Sequence, residues 1–152
     1  MRVYRICKEE HGKSGQQAMF GDGGLYASAR WHTRGRRIIY TATSTPLAIL
    51  EIAVNLIKPK IIPRYVVVEV DLPDQNVVDL PADKLPKGWD ATSSDPLVSR
   101  AIGDRWLLEE VSLALRVPSV VVPDQYNVLI NPLHSKFNLL TFSDPSPFPF
   151  AT

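Results

Sequence analysis

Apolar positions along the chain come in short runs broken by proline, glycine and charge, which predicts many short elements rather than a few long ones. Val3 to Cys7 alternates apolar and basic residues and predicts a strand. Glu9 to Gln17 is polar. Gly21-Asp-Gly-Gly24 predicts a turn, because glycine takes positive φ without steric cost, and it also allows a backbone to approach a ligand closely. Leu25 to Trp31 and Arg37 to Thr41 flank Gly35 and read as extended segments. Thr45-Pro46 then opens a helix, with threonine as N-cap and proline in the first helical position. Leu47, Leu50 and Val54 form one stripe of that helix, and Ile49, Ile52, Ala53 and Leu56 fill its other sides. Only Glu51 and Asn55 are polar, four residues apart on one narrow face. A helix apolar nearly all round is expected to be buried, with its polar strip turned to solvent or to a cleft.

Pro59 and Pro63 end that helix. Arg64 to Leu72 is the strongest predicted strand, being β-branched and largely apolar. Pro73 to Asp90 reads as loop. Asp95-Pro96 starts a second helix running to about Glu109, with Leu97, Ala101, Trp106 and Leu107 as core contacts and Gly103-Asp104 as a candidate interruption. Val111 to Val117 and Ser119 to Val122 read as strands separated by Pro118, which cannot donate to a ladder. Asn127 to Ile130 is a further strand, Asn131-Pro132-Leu133-His134 a turn, and Phe137 to Phe142 the last strand. Ser143 to Thr152 is proline-rich and either lies extended over the body or is disordered. The pattern amounts to about six to eight strands and two substantial helices without regular alternation, so the expected fold is α+β with curved, mostly antiparallel sheets.

Composition narrows the class. At 152 residues the chain is expected to form one domain spanning 1–152, and 45% hydrophobic with 22% charged residues is ordinary for a globule. A formal charge of +1 argues against a sequence-independent grip on nucleic acid. Arg30, Arg34, Arg36 and Arg37 do cluster, either as a solvated face or as a local anion site. Cys7 is the single cysteine, so no internal disulfide forms. Neither a signal peptide nor a run of ~18 apolar residues is evident, and the expected location is cytoplasmic.

His11, His32 and His134 are too far apart in sequence to suggest a zinc site, so no metal is expected. No phosphate-binding glycine loop or nucleophile elbow is present. Arginine, tyrosine, glutamate, serine and asparagine carry the remaining chemistry. Arg30 suits a forked contact to phosphate, or else a surface ion pair. Tyr40 suits stacking on a flat ring, or else a core position. Glu51, among apolar neighbours, suits stabilisation of a developing positive charge such as an oxocarbenium ion. Ser119, after a strand-breaking proline, presents a hydroxyl to a site or to backbone. Asn131 and His134 share one turn.

Five segments, in order, resemble the RES-domain family, the toxin half of RES–Xre toxin–antitoxin pairs. They are Tyr4-Arg5; Arg30-Trp31 with Gly35 and Tyr40; Leu47 to Glu51; Gly103-Asp104-Arg105-Trp106; and Val117-Pro118-Ser119 with Asn127 and Asn131 to His134. The arginine, glutamate and serine that name the family fall at Arg30, Glu51 and Ser119. The chain departs from the family pattern around Arg30, with Ser28-Ala29 where glycines are usual and His32 where asparagine is usual. The resemblance implies a fold similar to ADP-ribosyltransferases and an activity that consumes NAD, by hydrolysis, phosphorolysis or transfer to a protein. It also implies an Xre-like, DNA-binding antitoxin as partner, and self-association stays open. The expected site is therefore Arg30, Glu51 and Tyr40 as catalytic residues, with Arg30, Tyr40, Ser119, His32 and Asn131 holding NAD. A non-catalytic subunit that binds a partner through the arginine cluster and the proline-rich tail is the competing expectation.

Overall fold

The computed structural model describes residues 1–54, 63–91 and 96–148. Its strands are β1 (Arg2–Lys8), β2 (Ile39–Ala42), β3 (Tyr65–Asp71), β4 (Val77–Asp79), β5 (Ala114–Pro118), β6 (Tyr126–Ile130), β7 (Thr141–Phe142) and β8 (Ser146–Phe148). They make one sheet in the order β4-β5-β6-β2-β1-β3-β7, with β8 also on β3. Among the described residues only the β4–β5 pairing is parallel. Two one-turn helices, α1 (Gly15–Ala18) and α2 (Gly23–Tyr26), precede β2. The longer helices are α3 (Thr45–Val54) and α4 (Leu97–Glu109). This is the expected α+β class.

The sheet is two half-sheets joined at a narrow neck. β1 pairs with β3 along its whole length, from Arg2↔Asp71 to Lys8↔Tyr65. β2 pairs fully with β6, from Ile39↔Ile130 to Ala42↔Asn127. Between β1 and β2 the register holds at Tyr4↔Ala42 alone. Beyond that pair the halves diverge and leave a wedge. Strand alternation fills the two sides differently, since successive side chains point to opposite faces. Val128 and Ile130 join Val3, Ile39, Val68 and Val70 in one core, while Leu129 joins Trp31, Trp106, Leu115 and Val117 in another.

Several local expectations are corrected. Helix α3 is capped by Ser44, whose hydroxyl accepts the Leu47 N–H at 3.2 Å, so Thr45 is the first helical residue rather than the cap. The helix is not buried all round: Leu47 and Ala48 are buried, but Leu50 is 46% exposed and Ala53 is exposed. Asn55, Leu56, Pro59 and Asp95 lie outside the described residues, as do residues 149–152 of the tail. Leu25 and Tyr26 are helical, not extended. Gly103 does not interrupt α4. Trp106 and Leu107 are buried as expected, but Leu97 is 65% exposed and Ala101 is exposed. Pro118 is the last residue of β5, so Ser119 to Val122 leaves the strand and bends at 120–122, and Val111 to Leu113 lies before the strand begins. Phe137 to Leu139 is a 3-10 turn. The tail, as far as Phe148, is extended on β3.

Candidate active site

The wedge between the half-sheets opens into a cleft of about 1150 Å³. Its floor is β1 and β2, one wall is α3, and the opposite wall is the segment from Ser28 to Trp31 together with the start of α4. Helix α3 turns Glu51 into this cleft. The Ser119 hydroxyl donates to Glu51 Oε1 at 2.9 Å and accepts the N–H groups of Val121 and Val122, both at 3.1 Å. Ser119 is itself pinned, since its N–H donates to the Gln125 carbonyl at 2.8 Å. With both acceptor positions taken by amides, its one proton is committed to Glu51. Ser119 therefore orients the carboxylate, and the neighbouring Val120 and Val121 line the cleft.

The wall opposite is held by α4. Ser99 Oγ donates to the Arg30 carbonyl at 2.7 Å, and Arg100 Nε donates to the Ala29 carbonyl at 3.0 Å. Both Arg30 and Arg100 line the cleft. Arg30 also reaches the Ala91 carbonyl through Nη1 at 3.1 Å. Tyr40 lines the floor, and its phenol oxygen lies 2.7 Å from His32 Nδ1 and 3.2 Å from the Trp31 N–H. Burial pushes the Tyr40 phenol up from its ordinary value and the His32 imidazole down from its own.

The structure thus brings Arg30, Tyr40 and Glu51 around one cleft, with Ser119 bonded to Glu51. It does not bring His32 or Asn131 into the wall. His32 is 2% exposed and packs behind Tyr40. Asn131 is buried in the turn after β6, where its side-chain oxygen accepts the Leu133 N–H at 3.0 Å. Asn127 lines the cleft at the other end of β6, four residues or ~13 Å away along a strand.

Arg5 is the residue whose importance the residue-by-residue reading missed. It stands in the wedge where the β1–β2 ladder stops, its guanidinium bonding the carbonyls of Tyr40 and Ala18 at 3.4 Å each. Among the described residues it has no carboxylate partner. Burial pushes its pKa down, but a guanidinium keeps its charge. A signal was available: Val3, Arg5 and Cys7 share one face of β1, and Val3 and Cys7 are core. A charge at a core-facing strand position marks either a buried pair or a ligand site. With Lys8, Arg30 and Arg100, Arg5 gives the cleft four cationic side chains against one carboxylate, Glu51, among the described residues.

No helix among the described residues is long and apolar enough to cross a membrane, and none of their His, Cys, Asp or Glu side chains gather into a group of three suited to a metal.

The architecture is shared with a solved toxin chain. The "M.tuberculosis MbcT-MbcA toxin-antitoxin complex" superposes with a TM-score of 0.76 at 17% identity, over 97% of this chain and 83% of that one. The fold is accordingly of the ADP-ribosyltransferase-like α+β class. The RES-domain family model matches residues 2–151, and the chain belongs to that family. A relative named "Toxin Res", from Pseudomonas putida, is 42% identical over 75% of this chain and 77% of its own. Another, "Prs ADP-ribosylating toxin" from a Sphingobium species, is 36% identical over 75% of this chain and 72% of its own.

Proposed function

We propose that this chain is the toxin of a toxin–antitoxin pair and that it cleaves the bond between nicotinamide and ribose in NAD. The observation that carries the reading is Glu51: a carboxylate oriented by a committed serine hydroxyl, in a cleft where the other charged side chains among the described residues are cationic. NAD makes complementary demands. Its pyrophosphate needs cations, which Arg5, Arg30 and Arg100 offer. Its flat nicotinamide needs a ring surface, which Tyr40 offers. The cleft, at about 1150 Å³, is somewhat above the usual span of small-molecule sites, which suits a ligand as large as a dinucleotide.

In this mechanism the C–N glycosidic bond breaks and its electron pair leaves with nicotinamide, which departs neutral. The ribosyl carbon becomes an oxocarbenium ion, and Glu51 stabilises the positive charge as it develops. Water or phosphate then adds to that carbon and releases a proton to solvent. The test is incubation of the purified chain with NAD, with and without phosphate, and identification of products by mass. Free nicotinamide with ADP-ribose, or with its phosphorylated form, supports the reading; intact NAD overturns it.

A second reading is transfer of ADP-ribose to a protein, favoured by the Sphingobium relative's name. Label from NAD would then appear in macromolecules rather than in small products. Either reading requires control in the producing cell, and we propose an Xre-like antitoxin that covers this cleft. Antitoxin and NAD should then exclude one another in a competition titration, and simultaneous binding would rule out occlusion.

The anion site has its own test. Lysine keeps the charge at position 5 or 30 but loses the planar fork. At position 5 it also cannot hold the backbone carbonyls of Ala18 and Tyr40 while facing a phosphate. Arg5→Lys and Arg30→Lys should each weaken NAD binding by roughly tenfold or more, the scale of one lost charge-assisted hydrogen bond. Calorimetry showing unchanged affinity in both variants would move the phosphate elsewhere.

A further inference from the structure

We propose that His32 is a positioning residue that locks the Tyr40 ring into the cleft floor through a hydrogen-bond relay running in one direction. The proposal rests on the NAD-cleavage reading for its kinetic consequences, but not for its geometry. The Trp31 N–H can only donate, so at 3.2 Å the Tyr40 oxygen is its acceptor. The Gly24 carbonyl can only accept, so His32 Nε2, 3.3 Å away, carries the proton. A neutral ring then leaves Nδ1 as the acceptor, and the phenol proton of Tyr40 goes to it at 2.7 Å. The chain of donation is Trp31 to Tyr40 to His32 to Gly24.

Burial supports the same arrangement, because His32 is 2% exposed and burial disfavours its charged form. The charged groups acting on it are Asp104, which favours protonation, and Arg100, which opposes it; the phenol of Tyr40 and the backbone of Gly24 and Ala27 complete its surroundings. Gly24 is the anchor because nothing larger fits: a Cβ there would stand 2.2 Å from the Arg36 carbonyl oxygen and 3.1 Å from His32 Nε2. Gly24 thus serves the site from behind the wall, through His32, since Gly21 to Gly24 do not line the cleft.

One consequence is mechanistic. The Tyr40 proton is held by His32 on the side away from the cleft, so Tyr40 contributes its ring and not a proton. A second is chemical. Asparagine at position 32 would place an amide oxygen where Nδ1 stands and still accept from Tyr40, whereas alanine leaves the phenol proton without a partner.

The test has two arms. Nitrogen-15 NMR of histidine-labelled full chain reads the tautomer directly. The proposal expects a neutral His32 ring protonated at Nε2 and still neutral below pH 6.5. A ring protonated at Nδ1, or one that titrates like a free imidazole, overturns it. The second arm is NAD turnover. Tyr40→Phe and His32→Ala should each reduce kcat/KM roughly fivefold to tenfold, the scale of one network hydrogen bond. The double variant should be no worse than either single one, and His32→Asn should regain much of what His32→Ala loses. Losses that multiply, or a His32→Ala enzyme equal to wild type, overturn the proposal. If the wild-type chain leaves NAD intact, the functional reading fails by itself, while the tautomer measurement still decides the relay. If His32→Ala does not fold, the NMR arm and His32→Asn carry the decision.

Discussion

Glu51→Gln should lower NAD turnover by roughly 10²–10³, the scale for losing one electrostatic stabiliser of a charged transition state. The substitution keeps shape and volume and removes charge. It also leaves the Ser119 hydroxyl an acceptor, because the amide oxygen can take the place of Oε1, 2.9 Å away. The loss should therefore fall on kcat, with KM for NAD changed little, since the missing interaction exists mainly in the transition state. Folding should be retained, as Glu51 is half-buried on a helix that packs through Leu47 and Ala48. Ser119→Ala tests the same point from behind. It keeps the carboxylate but frees it to turn, and it strands the Val121 and Val122 amides. Its loss of turnover should be real but smaller than that of Glu51→Gln. A folded Glu51→Gln protein with wild-type turnover would take Glu51 out of the mechanism.

How far the sequence exposed this site depends on whether the deciding contact is local. The strand Tyr65–Asp71 is legible because β-branched residues dominate it. Glu51 is legible as a lone acid on an apolar helix. The cap of α3 lies one residue before the expected one because Ser44 and Thr45 are both hydroxyl residues, and only the reach of Ser44 to the Leu47 N–H separates them. β4 escaped notice because its three residues pair in parallel with β5, a partner dozens of positions away. Asn131 attracts attention through its Asn-Pro turn, yet the length of β6 carries it away from the cleft and leaves Asn127 there instead. His32 stands beside Arg30 and Trp31 in sequence, but its burial behind Tyr40 depends on where Gly24 and Asp104 come to rest. The neck between the half-sheets, which creates the cleft, leaves no local mark except the charge at Arg5 on the core face of β1.

Gly103→Ala should destabilise the chain severely, although in an isolated helix the same change would help. Alanine is favoured over glycine in a helix interior by about 1 kcal/mol. Position 103 lies in the middle of α4, but its Cα faces the Trp31 backbone. A Cβ there would stand 1.7 Å from the Trp31 carbonyl oxygen and 2.7 Å from its carbonyl carbon. Neither atom can rotate away, so the helix must retreat from the segment that carries Arg30. Retreat stretches the two bonds that α4 makes to that segment, Ser99 to the Arg30 carbonyl and Arg100 to the Ala29 carbonyl. Overpacking of a tight contact costs about 1–3 kcal/mol, occasionally more, and the strained hydrogen bonds add to it. The net expectation is a denaturant midpoint well below wild type at unchanged slope, together with weakened NAD binding as Arg30 loses its support. Gly23→Ala is the control, because nothing lies within 4 Å of a Cβ at that position. It should leave the midpoint unchanged or raise it slightly. Equal midpoints for Gly103→Ala and wild type would mean that α4 does not hold the Arg30 wall of the cleft.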